Sequence, residues 1–221
     1  MATTLPEPPQ IKSPQPSDDG GWHDFPPVTG SALAIDDSSP ASRTGIWVGL
    51  SAITMTFVAF TSAMIVRQGG STDWQHFTLP AILYVDTVIL LASSVVLEIA
   101  RKRVAAFVHG SHTTRSAGLR WLGLTLALGL LFVGGQYMAW LQLRSQGLYL
   151  ATNPSSSFFY LFTAAHALHV LGGLAGLMLV IWRFSRPLPR LRLSTLSTVS
   201  YYWHFMDVLW IYLLLLLWMR I

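Results

Sequence analysis

The sequence predicts an all-α, polytopic membrane bundle of five transmembrane helices, and three observations carry that prediction. Hydrophobic residues make up 52% of the 221 and charged residues only 11%, with a mean hydropathy of +0.48, a balance no ordinary soluble domain needs. Five apolar runs are each long enough, at about 1.5 Å per helical residue, to cross a hydrocarbon core of about 30 Å. Each is bounded by charge, Pro or Gly, and the few polar groups inside recur at helical spacing, so they gather on one side. A formal charge of +4 and a pI near 9.7 could suit a nucleic-acid partner, but the basic residues sit in short loops between apolar runs, where membrane orientation accounts for them. Nucleic acid is therefore set aside. The absence of cysteine rules out disulfides, thiolate zinc sites and iron-sulfur clusters, and leaves the redox compartment open.

Residues 1–42 hold eight of the twelve prolines among Ser, Asp and Gly, which predicts a disordered tail. Its opening TTLPEPPQ has neither the basic start nor the apolar stretch of a secretory signal, so the tail is expected to stay in the cytosol. Trp22, His23 and Phe25 form either a short docking motif or an incidental cluster. The membrane domain, residues 43–221, is expected to span at about 45–66, 79–100, 119–143, 157–182 and 199–219. The loop 101–120 carries five basic residues (Arg101, Lys102, Arg103, Arg115, Arg120) and the loop 183–198 four (Arg183, Arg186, Arg190, Arg192). The loops around Arg67 and Arg144 carry one each. The positive-inside rule then puts the N-terminus in the cytoplasm and the C-terminus outside. Trp74, Tyr149, Trp182 and Trp218 fall where an interfacial aromatic belt would lie, and no internal repeat is visible.

The fourth run, NPSSSFFYLFTAAHALHVLGGLAGLMLVIW, is the stretch around which the chain is organised. His166, His169, Gly172 with Gly173, and Gly176 make one small, polar face, while Leu161, Leu168 and Leu179 cover the rest. Gly172 and Gly176 form a GxxxG that allows close backbone approach. The two histidines could share a metal or hold haems, but a metal site wants three or four ligands, and only His204, Asp86, Glu98 and Asp207 remain to complete one. Buried histidines bonded to neighbouring helices are the expectation.

On the second helix Thr87, Leu91, Ser94 and Glu98 share a face, with Asp86 and Ser93 at its edge. Glu98 has two readings: a salt bridge to Arg101 or Lys102, or a deeper position in a longer helix, bonded by Ser94 and meeting a neighbouring helix or a lipid head group. Asp86 is expected to bond a nearby hydroxyl or face an aqueous pocket. Gln136 and Gln142 of the third helix are read as packing residues that bond across helices. On the fifth, His204 and Asp207 are three apart, and Trp203 and Trp210 seven apart. A local His-Asp pair, a latch across helices and one station of a proton wire all fit that spacing, although the series is too sparse for a wire in this chain alone.

Four ordered blocks now bring a family into view: LPAILYVDTVILLASSVVLEIARK, GQYMAWLQL, GLYLATNPSSSFFYLFTAAHALHVLGG and YYWHFMDVLWIYLL. Together they resemble subunit III of the haem-copper terminal oxidases, from Leu79 to Trp218. On this resemblance Glu98 looks like the family's buried helix glutamate, His166 and His169 like its paired histidines, and Trp203, His204, Phe205 and Asp207 like its WHF-x-D signature. The resemblance implies a non-catalytic accessory chain without haem or copper of its own, which binds the haem- and copper-bearing subunit I. It also implies phospholipid held in a cleft, an apolar route for dioxygen, and support of proton uptake. The setting would be a bacterial plasma membrane, with other oxidase subunits and a respiratory supercomplex as wider partners. Three departures stand out. Relatives with seven helices have two more at the start, and here Asp86 replaces the usual Asn while Ala139 replaces the Glu of QxxEW. Two rival readings share much of the pattern: a subunit III homologue serving a nitric oxide reductase, and a small independent transporter.

Overall fold

The computed structural model describes residues 40–70, 72–74, 76–110, 114–150, 153–186 and 193–220. Residues 1–39 of the expected disordered tail, with the cluster at Trp22, His23 and Phe25, lie outside the described residues, as do Arg190 and Arg192; residues 40–42, expected in that tail, are helical instead. Among the described residues the chain is all-helical: α1 (Pro40–Gly69), α2 (Ile82–Val108), α3 (Arg115–Ser145), α4 (Pro154–Ser185) and α5 (Leu193–Arg220). All five are long and apolar enough to cross a membrane.

The helices overrun the apolar runs at almost every end, because hydrophobicity marks the hydrocarbon while backbone hydrogen bonding continues through polar flanks. Thus α2 runs past Arg101, Lys102 and Arg103 to Val108. Its start is the exception, at Ile82 instead of Leu79. The residue before a proline is steered away from the α region, and Pro80 stands right after Leu79. Local chemistry sets other ends. Asn153 caps α4, its side chain accepting from Ser156 N at 2.8 Å, with Pro154 in the first turn where a missing N–H costs nothing. Gly110 and Gly147 adopt φ values of 76° and 80° just beyond α2 and α3, a left-handed stop that other residues resist.

Successive helices run antiparallel. α2 packs most closely on α3, α3 on α4, α4 on α5, and α5 returns to α2, closing a four-helix ring. Its core includes Leu83, Leu90, Phe132, Leu177, Trp203 and Trp210, all buried. α1 lies outside the ring against α5 and α4. It buries Leu50, Phe57 and Met64, a seven-residue repeat that makes one narrow seam, and leaves Trp47, Met55, Val58 and Val66 exposed. So much apolar surface suits lipid as the solvent, not water. Of the aromatic residues expected at interfaces, Tyr149, Trp182 and Trp218 are exposed. Trp74 is half-buried, and its indole N–H donates to Arg220 O at 3.0 Å, tying the α1–α2 connection to the end of α5.

Candidate functional site

The polar groups of α2 and α5 meet along one seam. Trp210 Nε1 donates to Thr87 Oγ1 and Trp203 Nε1 to Ser93 Oγ, each at 2.9 Å. Between them Ser94 donates its hydroxyl hydrogen to Asp207 Oδ2 and lies 3.0 Å from His204 Nδ1. Which of Ser94 Oγ and His204 Nδ1 donates follows from the imidazole tautomer. His204 Nδ1 and Asp207 Oδ2 are 3.9 Å apart, so Ser94 mediates their coupling. Of the alternatives left open for this pair, the latch across helices matches the geometry. Asp207 is buried, while the side chain of His204 is 45% exposed.

The α2–α3 contact holds a second buried pair. Gln136 Nε2 donates to Asp86 Oδ2 at 2.9 Å, and Gly135 leaves the room for Asp86. The expectation of a hydroxyl partner or an aqueous pocket for Asp86 gives way here: the partner is an amide, and the carboxyl is enclosed because α3 offers a glycine opposite it. Gln136 bonds across helices as expected, whereas Gln142 is exposed.

Glu98 forms a two-pronged ion pair with Arg101, at 2.8 and 2.9 Å, and its side chain is 30% exposed. The buried-glutamate expectation is corrected by this geometry. α2 is indeed longer than its apolar run, but Ser94 turns to Asp207 and His204, which leaves Glu98 to the guanidinium one turn on.

The histidines of α4 separate. His166 is fully buried, edge-on to Phe132 and beside Trp210 at centroid distances of 5.9 and 5.0 Å, with no hydrogen-bond partner on either ring nitrogen. His169 is half-buried beside Phe57, and its Nδ1 lies 2.7 Å from Ala165 O of its own helix. Neither ring bonds a neighbouring helix, which corrects that expectation. Both rings lie against aromatic side chains, and the bond between helices is made by the backbone instead, Tyr202 Oη donating to His169 O at 2.8 Å. The tightest glycine also differs. A Cβ on Gly173 would meet Tyr202 at 3.1 Å, whereas Gly172 and Gly176 have 3.7 Å of clearance.

Three features had no reading in the sequence. Gly129 admits Trp203, a Cβ there falling 2.8 Å from the indole. Trp140 Nε1 donates to Thr163 Oγ1 at 3.0 Å, joining α3 to α4. Arg115 donates from Nε to Phe184 O at 2.8 Å, reaches Arg186 O as well, and lies over the Phe184 ring, so the start of α3 caps the end of α4. Gly129 and Gln136 lie on one face of α3 at helical spacing, a signal that could have exposed the first. Among the described residues no group of three or more His, Cys, Asp or Glu gathers as a metal site would require. An open cleft of about 570 Å³ lies between α3 and α4, lined by Trp140, Arg144, Tyr149, Tyr160 and Leu161.

Fold and seam together define a multi-pass, all-helical membrane protein in which Asp86, Ser93, Ser94, Gln136, Thr163 and Asp207 bond one helix to another. Residues 48–220 match the family described as cytochrome c oxidase subunit III. The chain is 31% identical over 182 residues to cytochrome c oxidase subunit 3 of Synechocystis sp., covering 79% of this chain and 74% of the relative. It is 32% identical over 200 residues to the protein of that name from Thermostichus vulcanus, covering 85% and 93%. With that of Corynebacterium diphtheriae it shares 32% over 148 residues. The chain belongs to the cytochrome c oxidase subunit III family.

Proposed function

We propose that this chain is the non-catalytic subunit III of an aerobic haem-copper oxidase, stabilising subunit I in a bacterial plasma membrane. The reading rests on the family match over residues 48–220, within which the WHF-x-D block supplies Trp203, His204 and Asp207 to the α2–α5 latch. Haem and copper reside in the partner subunits. The buried groups Asp86, Gln136, Ser94, His166, Trp203 and Asp207 act by holding helices in register, with His169, His204 and Glu98 nearer the surface. Phospholipid is the natural occupant of the cleft beside Arg144, where a guanidinium and the tyrosines line an otherwise apolar wall. Exposed apolar faces on α1 and α2 are suited to lipid, to dioxygen and to other subunits of the complex. Support of proton uptake belongs to the same role. We place the N-terminal tail, residues 1–42, and the Arg101 end of the five-helix domain in the cytoplasm, because the basic loops cluster there.

The test is purification of the complex through a tag on this chain. Haem a or o with a copper-containing partner is the expected result. Haem b with non-haem iron would assign the chain to a nitric oxide reductase, and a chain that purifies without any haem partner would end the reading.

A further inference from the structure

The ten acidic side chains are unevenly placed along the chain. Asp86 and Asp207 are buried between helices, Asp73 pairs with Arg67 beyond the end of α1, and Glu98 pairs with Arg101. The other six, Glu7, Asp18, Asp19, Asp24, Asp36 and Asp37, all precede Pro40, where the only basic side chain is Lys12. Six acids against one lysine leave that segment a side-chain charge of −5. The connections 101–120 and 183–198 are the opposite case, with five and four Lys or Arg and no acid.

The fold brings these opposite charges to one end of the bundle. Thr61 lies 2.9 Å from Tyr212 and Gln68 donates to Arg220 O at 3.3 Å, so α1 and α5 are parallel and begin at nearly the same level. Bonds between α2 and α5 step up from Thr87 to Ser93 as their partners step down from Trp210 to Trp203, which sets the end of α2 beside the start of α5. Arg115 ties the start of α3 to the end of α4. Among the described residues Lys102, Arg103, Arg120 and Arg183 are exposed at this end and form no ion pair.

Reach agrees with charge. α1 lies against α4 and α5, and Asp36 and Asp37 stand four and three residues before it, close enough for the α4–α5 connection. The α2–α3 connection lies across the ring, roughly 20 Å away at 8–10 Å between neighbouring helix axes. Asp24 is 16 residues before Pro40, a length that spans about 20–25 Å as a relaxed coil and up to about 50 Å when extended. Because the segment is covalently tethered, its effective concentration at this face is of millimolar order, and several weak ion pairs act together.

We infer that the acidic segment Asp18–Asp37 docks on the basic end of its own chain, with Asp36 and Asp37 against the α4–α5 connection and Asp18, Asp19 and Asp24 against the α2–α3 connection. Trp22 and Phe25 are thereby carried onto an arginine-rich surface, where their rings have cationic partners. The basic end is then covered by the chain itself, and anionic lipid or an acidic partner must compete with the tether to reach it.

The experiment uses the full chain in its native membrane. A photoreactive phenylalanine derivative replaces Trp22, with Tyr149, exposed at the opposite end of the bundle, as the control position. Expected is an adduct between residue 22 and a peptide of 101–120, running at the 24.5 kDa of a single chain on a denaturing gel, and none to that peptide from residue 149. Its yield should fall at least about threefold between 0.05 and 0.5 M salt, because screening shortens the Debye length to a few ångströms. The triple variant Asp18→Asn, Asp19→Asn, Asp24→Asn should lose the adduct to the same extent at low salt. Varying the tail leaves the basic loops that orient the helices untouched. Adducts only to lipid, to another subunit or to a second copy of this chain, no adduct at all, or a yield indifferent to salt and to the Asn variant would each overturn the inference. None of these outcomes depends on whether the chain co-purifies with haem, so the oxidase reading stands or falls separately.

Discussion

Replacing Gly135 with alanine probes the α2–α3 contact at its narrowest point. A Cβ there would fall within 2.5 Å of Asp86 Oδ2 and closer still to the rest of the carboxyl, so Asp86 must leave its place. Asp86 is short and enclosed, and moving it breaks its bond with Gln136. Overpacking of a dense interior costs about 1–3 kcal/mol, and a buried polar pair left unmade costs a similar amount. The better helix propensity of alanine returns about 1 kcal/mol, for a net loss of about 3 kcal/mol. Gly134 is the internal control. Nothing lies within 4 Å of a Cβ at that position, so Gly134→Ala should be neutral or stabilising by up to about 1 kcal/mol. Unfolding of each variant in mixed micelles, followed by tryptophan fluorescence, measures the difference. Equal stability of the two variants, within about 1 kcal/mol, would refute the tight α2–α3 register.

Other substitutions test the remaining contacts. Asp86→Asn keeps an acceptor for Gln136 and should change stability by less than about 1 kcal/mol, whereas Asp86→Leu strands the amide and should cost about 1–3 kcal/mol in the same assay. His166→Phe removes two unbonded ring nitrogens from a fully buried site and should be neutral or stabilising; a loss above about 2 kcal/mol would mean that the imidazole has a partner after all. A double-mutant cycle of Ser93→Ala with Trp203→Phe should return a coupling of about 0.6 kcal/mol and no more than about 1.7, the range for bonds between membrane helices. Arg115→Ala uncaps the end of α4 and should lower the thermal midpoint of the purified protein, by a loss of about 1.5–3 kcal/mol for charge-assisted bonds, with Arg115→Lys intermediate.

Much of the architecture is legible from composition alone. Five apolar runs became five helices, and of the residues singled out within them Asp86, Ser94, Gln136, His166, Trp203 and Asp207 are buried, whereas Glu98, His169 and His204 are partly exposed. What could not be read was the pairing. Spacing along α2 offered Ser94 to Glu98, and the outcome depended on how α5 is rotated, which places Asp207 within reach of Ser94 instead. The histidines of α4 looked alike in the sequence, yet one fills an aromatic pocket and the other sits half-exposed beside α1.

Helix number and the presence of an inward polar face follow from apolar run lengths and a 3.6-residue period, both local properties that one chain segment carries by itself. Partners, glycine clearances and the exposure of His204 do not. They are set by the rotation and axial register of helices distant in sequence, and a shift of one residue turns a face by about 100°, enough to exchange every bond in the seam.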